Sequence, residues 1–99
     1  MISDLAKELR DTLTDEPQSR DMLRDTLHCT DRSLRRAVSE LRRHGYNIAS
    51  NSETKGYWYG NEEDKERTIR DLRARAAELR QTALALEHGP DLGQMEVEV

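Results

Sequence analysis

Apolar positions along this chain follow a helical period in four stretches and alternate in one. The clearest helical stretch runs from Thr30 to Gly45. There Leu34, Ala37, Val38 and Leu41 recur at i, i+3, i+4 and i+7, which sets one apolar stripe on a helix. At about 100° per residue, Arg32, Arg36, Ser39 and Arg43 fall on the opposite side, with Arg35 and Arg42 flanking them. Thr30 is a good N-cap, Asp31 suits the positive end of the helix dipole, and Gly45 is a stop signal. Just upstream, Ser19 caps a shorter pattern whose apolar side is Met22, Leu23 and Leu27. His28-Cys29-Thr30 forms the turn between the two. At the start of the chain, residues 2–14 read as a helix capped by Ser3, with Ile2, Leu5, Leu9 and Leu13 on its apolar edge. Its acidic residues Asp4, Glu8 and Asp11 are expected to face solvent. Thr14 to Gln18 is a linker, since Pro17 discourages helix before it, and a short extended piece there can pair with a later strand.

Beyond Gly45 the period changes. Tyr46 to Ser50 reads as a strand, Asn51 to Gly56 as a hairpin loop and Tyr57-Trp58-Tyr59 as the return strand. Alternation places Tyr57 and Tyr59 on one face and Trp58 on the other. The plainer reading of the tyrosines is that they supply core volume. Trp58 is left either exposed or covered by another element.

From Asn61, a capping residue with Glu62-Glu63-Asp64 in the first turn, a long helix is expected to reach His88, where Gly89-Pro90 stops it. Ile69, Leu72, Ala76, Leu79, Ala83 and Leu86 alternate spacings of three and four along it, the a/d seam of a coiled coil. The seam either joins two copies of the chain or packs on the protein's own first helix, and self-association is the preferred expectation. In a parallel pair Arg75 would meet Arg80 of the partner, which counts against a plain parallel zipper. The expected organisation is a domain over 1–60, a self-association helix over 61–88 and a flexible acidic tail over 89–99.

Composition sharpens this picture in three places. First, the 99 residues are 34% hydrophobic and include no Phe, so the core must be small. Second, the net charge of −4 is unevenly spread. Residues 1–16 carry −3, residues 17–60 carry +3 and residues 61–99 carry −4, so the basic excess lies on the two central helices and the hairpin. Third, Cys29 is the single cysteine and reads as a small apolar filler beneath the turn. His28, His44 and His88 have no ligand spacing with it, so no metal and no cofactor is expected. No paired acid/base constellation or glycine-rich phosphate loop suggests an enzyme. With no signal peptide or apolar run long enough for a membrane, the expected location is cytoplasmic.

Two short helices joined by a tight turn, the second basic on its outer face, form a helix-turn-helix, and a hairpin directly after it is a wing. At this point the chain resembles the winged helix-turn-helix domains of the biotin-operon-repressor type. The resemblance covers residues 1–60. It is carried by Leu27 three residues before Thr30, by Leu34 and Leu41, by Leu41-Arg42-Arg43-His44-Gly45-Tyr46, and by Lys55-Gly56-Tyr57. The chain departs from the family in having His28 where glycine is usual, in a longer wing, and in lacking a following ligase domain. The implied fold is mainly α with a small β-hairpin wing, followed by the long C-terminal helix.

The implied function is sequence-specific binding of double-stranded DNA, in a small bacterial or phage transcriptional regulator. Arg32, Ser33 and Arg36 are the expected contacts to base edges, and Thr30, Arg35, Arg42, Arg43 and Lys55 the expected contacts to phosphates. The rival reading is a winged-helix module that binds protein rather than DNA, which the negative total charge favours.

Overall fold

The computed structural model describes residues 1–51, 53 and 56–90. In it, every helix starts where a side chain takes up a free amide, as short polar residues do at helix N-termini. Ser3 Oγ accepts from the Ala6 amide at 3.2 Å, which opens α1 (Asp4–Thr12). Ser19 Oγ accepts from Met22 at 3.1 Å and opens α2 (Arg20–Leu27). Thr30 Oγ1 accepts from Ser33 at 3.1 Å and opens α3 (Asp31–Arg43). Asn61 Oδ1 accepts from Asp64 at 2.9 Å, and Asp64 Oδ2 accepts in return from the Asn61 amide at 3.1 Å. This reciprocal cap opens α4 (Glu62–His88).

The first helix is shorter than residues 2–14 at both ends. Ile2 precedes the cap and packs at the core edge, while Leu13 turns extended at φ −68° and still buries its side chain. Asp4, Glu8 and Asp11 are exposed. Between α2 and α3, His28 adopts a left-handed conformation, φ 52° and ψ 51°, the geometry that glycine fills at lower cost. Gly45 closes α3 at φ +90°.

Three short strands form an antiparallel sheet in the order β1-β3-β2, where β1 is Gln18–Ser19, β2 is Ile48–Asn51 and β3 is Gly56–Tyr59. The hairpin register pairs Ile48 with Tyr59 and Ser50 with Tyr57, while β1 pairs Gln18 with Tyr57 and Ser19 with Gly56. A Cβ at Gly56 would lie 2.6 Å from the Gln18 carbonyl oxygen, so glycine is what lets β1 approach. Strand β2 begins at Ile48, later than expected from Tyr46. Asn47 explains the delay: its Nδ2 donates to the Gly60 and Asn61 carbonyls at 2.9 and 3.0 Å and pins the base of the hairpin.

The chain divides into two compact units, residues 1–68 and a second beginning at Ile69. In the first unit Leu9, Leu23, Leu34, Leu41 and Ile48 are fully buried, with Ala6, Leu13, Leu27, Ala37, Val38 and Tyr57 around them. No polar or charged residue is buried among those described. Tyr57 and Tyr59 turn toward this core as alternation predicts, whereas Tyr46 is exposed. Trp58 is half-buried and donates from Nε1 to Asp64 Oδ2 at 3.3 Å, so the start of α4 is fastened to the hairpin beyond Gly60. Polar ties also join sheet to helix. Tyr59 donates through its hydroxyl to the Arg10 carbonyl at 2.5 Å and through its amide to Thr14 at 2.8 Å. These occupy carbonyls at and beyond the end of α1 that would otherwise lack donors.

In the second unit α4 runs on with no buried side chain. Ile69, Leu72, Leu79 and Leu86 of the seam are exposed, from 38% at Ile69 to 79% at Leu86, and Ala76 and Ala83 are exposed beside them. Gly89 ends the helix at φ +73°. The acidic segment 91–99 lies outside the described residues. The architecture is therefore mainly helical, with a small three-stranded sheet and a long C-terminal helix.

Candidate nucleic-acid interface

The helical stripe of α3 is wholly interior: Leu34, Ala37, Val38 and Leu41 are each at most 3% exposed. Burying this face fixes the rotation of the helix and turns the arginines outward. Arg32, Arg35, Arg36 and Arg43 are exposed, and with Ser39 and Glu40 they line one open hollow along the helix. Among the described residues, Arg32, Arg36 and Arg43 have no carboxylate within ion-pair distance. Arg35 does have one: its Nε lies 3.1 Å from Asp31 Oδ2.

The two carboxylates of α3 are both engaged. Asp31 is shared between Arg35 and Arg20, whose NH1 lies 3.9 Å from its other oxygen. Glu40 Oε2 accepts from the Ser3 backbone amide at 2.7 Å. Hydrogen bonds from the Ser3 backbone and then its side chain hold the Glu40 carboxyl below its ordinary value, so it stays charged at the N-terminus of α1.

The expected contact residues do not form one homogeneous set. Arg32 and Arg36 stand exposed on the outer face, one turn apart. Ser33 is half-buried, and its hydroxyl accepts from Thr30 Oγ1 at 3.0 Å. Thr30 is exposed, but its hydroxyl already serves as the cap of α3. Arg42 has a different task from the phosphate contact expected of it. Its Nε and NH2 both donate to the Ile48 carbonyl, at 2.9 and 2.7 Å, and NH2 also reaches Ser50 Oγ at 3.3 Å. A planar guanidinium suits such a fork of parallel bonds. Arg42 therefore braces β2 against the end of α3. Lys55, expected at the hairpin tip, lies outside the described residues.

Sequence reasoning missed Arg20 and Ser50. Arg20 reaches Asp31 across the turn, and Ser50 receives Arg42 from the hairpin. Neither carries a motif; both depend on how β1 and β2 are placed. Tyr57 lies in the same neighbourhood. Burial pushes its phenol up, against the opposing charges of Arg20 and Arg42.

Cys29 is half-buried and packs against the core, and burial pushes its thiol up, away from the thiolate a nucleophile needs. Among the described residues no cluster of three His, Cys, Asp or Glu side chains could hold a metal ion. No helix among them is long and apolar enough to cross a membrane. No protein-family model, curated protein or solved structure matches this chain.

Proposed function

We propose that this protein binds double-stranded DNA as a winged helix-turn-helix, with α2 and α3 as the two helices and β2–β3 as the wing. One observation carries the reading. Three arginines without carboxylate partners among the described residues, Arg32, Arg36 and Arg43, stand on the face of α3 opposite a fully buried stripe. An ordinary solvated helix surface mixes charges of both signs. Here Asp31 is drawn to Arg20 and Arg35, and Glu40, bonded to the Ser3 amide, is the one carboxylate among the arginines of the hollow.

In this reading the N-terminal part of α3 enters the major groove. Arg32 and Arg36 reach base edges there, where arginine pairs with guanine through two hydrogen bonds. Arg35 and Arg43 contact phosphates on either side and set the register without reading sequence. Ser33 and Thr30 hold the first turn of α3 in shape. Arg42 stays internal and holds the wing at its angle to α3. The role that follows is regulation of transcription.

The test is selection of bound sequences from a random duplex pool, followed by a salt titration of the winner. Each neutralised phosphate adds roughly 0.9 to the slope of log affinity against log salt. A steep slope and a defined motif are expected despite the net charge of −4. Failure to retain any sequence at low salt, or affinity indifferent to salt, overturns the reading.

A further inference from the structure

The second unit carries an apolar seam that the DNA reading does not use. Ile69, Leu72, Ala76, Leu79, Ala83 and Leu86 follow one line along α4 and all are exposed. Leu84, also exposed, lies off that line. We propose that this seam pairs with the same seam of a second copy of the chain, and that the two helices run antiparallel.

Side-chain size sets the direction. In a parallel, in-register pair each seam residue meets its own copy, so Ala76 faces Ala76 and Ala83 faces Ala83. Those layers hold small side chains only, while the leucine layers between them hold large ones. No single helix separation fills both kinds of layer. Reversing one helix about a two-fold axis between residues 77 and 78 changes every layer. Ile69 then lies opposite Leu86, Leu72 opposite Ala83 and Ala76 opposite Leu79, each layer occurring twice. Each has at least one large aliphatic side chain, and every alanine receives a leucine. This interdigitation of large with small is what close packing requires. The contact is isologous, so it closes at two copies.

The flanking charges weigh against this direction, by four like-charge contacts to two, since every pair occurs twice. Antiparallel pairing brings Arg73 toward Arg80 of the second copy, and Glu66 toward its Glu87. Parallel pairing brings Arg75 toward Arg80. These positions stay at the rim, in water, where like-charge contacts are weak and screened by salt. Packing of the seam therefore decides. The same charges nevertheless report the direction, because each orientation pairs a different arginine with Arg80.

The experiment is sedimentation equilibrium of the full chain without DNA, so its outcome is independent of whether the head binds DNA. The expected species is two copies. Arg73→Glu turns both Arg73–Arg80 contacts into opposite-charge pairs, and should tighten association by roughly threefold to tenfold. Arg75→Glu faces Thr82 in this arrangement and should not tighten it. Leu72→Asp combined with Leu79→Asp should give a single copy with the head still folded. If that double variant fails to fold, the two charge reversals still decide. An unmodified chain that remains a single copy at the highest soluble concentration overturns the pairing. Tightening by Arg75→Glu and not by Arg73→Glu overturns the antiparallel direction.

Discussion

Arg36 and Arg43 lie on the same exposed face of α3, two turns apart, yet the proposed interface uses them differently. Arg36 is near the middle of the helix, within reach of bases when the N-terminal half occupies a groove. Arg43 is the last helical residue, where a groove-bound helix passes the backbone. Arg36→Ala should therefore cost about 1–3 kcal/mol at one base position and flatten discrimination there. Arg43→Ala should weaken all sequences alike and lower the salt slope by about one. Competition binding with single-base variants of the selected site separates the two; identical effects on every sequence would remove the distinction. His28 belongs to the same scale. A non-glycine residue in the left-handed region costs roughly 1–2 kcal/mol, and this chain bears that cost at the turn that aims α3.

At the scale of elements, the hairpin is held by two devices of opposite kind. Gly56 is an absence, a missing side chain that lets Gln18 come within bonding range. Arg42 is a presence, a charged fork spanning from α3 to the Ile48 carbonyl and Ser50. Arg42→Met keeps most of the aliphatic stem and removes the donors. It should lower unfolding stability by about 1.5–3 kcal/mol, the usual worth of hydrogen bonds from a charged group. Faster hydrogen exchange along β2 should accompany the loss. Urea melts read together with exchange would check this. A variant of unchanged stability that merely lost salt-dependent DNA affinity would return Arg42 to the phosphate contacts.

At the scale of the whole molecule, residue 3 and residue 40 meet through one hydrogen bond, and that contact titrates. Glu40 is held below its ordinary pKa of 4.5 by Ser3. A carboxylate with a depressed folded pKa contributes stability above its unfolded pKa and loses it as pH falls through the folded value. The window therefore opens near 4.5 and extends downward. Glu40→Gln should melt below the natural protein at neutral pH, and the gap should close as the solution is acidified through that window. Thermal melts of both proteins from pH 7 to pH 3 measure it, and a gap that stays constant would mean the carboxylate charge is not involved. The same charge lies in the hollow between Arg36 and Arg43, so its engagement by α1 also shapes the field that a polyanion meets.

Periodicity together with short polar capping residues determined where the helices lie and how α3 is rotated, because burying Leu34, Ala37, Val38 and Leu41 leaves Arg32, Arg36 and Arg43 only one side to occupy. The same logic made the long C-terminal helix and the turning of Tyr57 toward the core legible, since each follows from local period and from residues at fixed spacing. What tertiary structure decided was which polar group meets which across long separations. The helical period sets Arg43 on the outer face and Arg42 on its flank, but no local pattern says that the hairpin will meet Arg42. That contact arises because β2 returns beside the end of α3 and presents an Ile48 carbonyl at hydrogen-bond distance to it. Glu40 at Ser3, Trp58 at Asp64 and Arg20 at Asp31 are of the same kind. Side-chain hydrogen bonds are short-ranged and directional, so they are set only after apolar burial has fixed where the backbone lies.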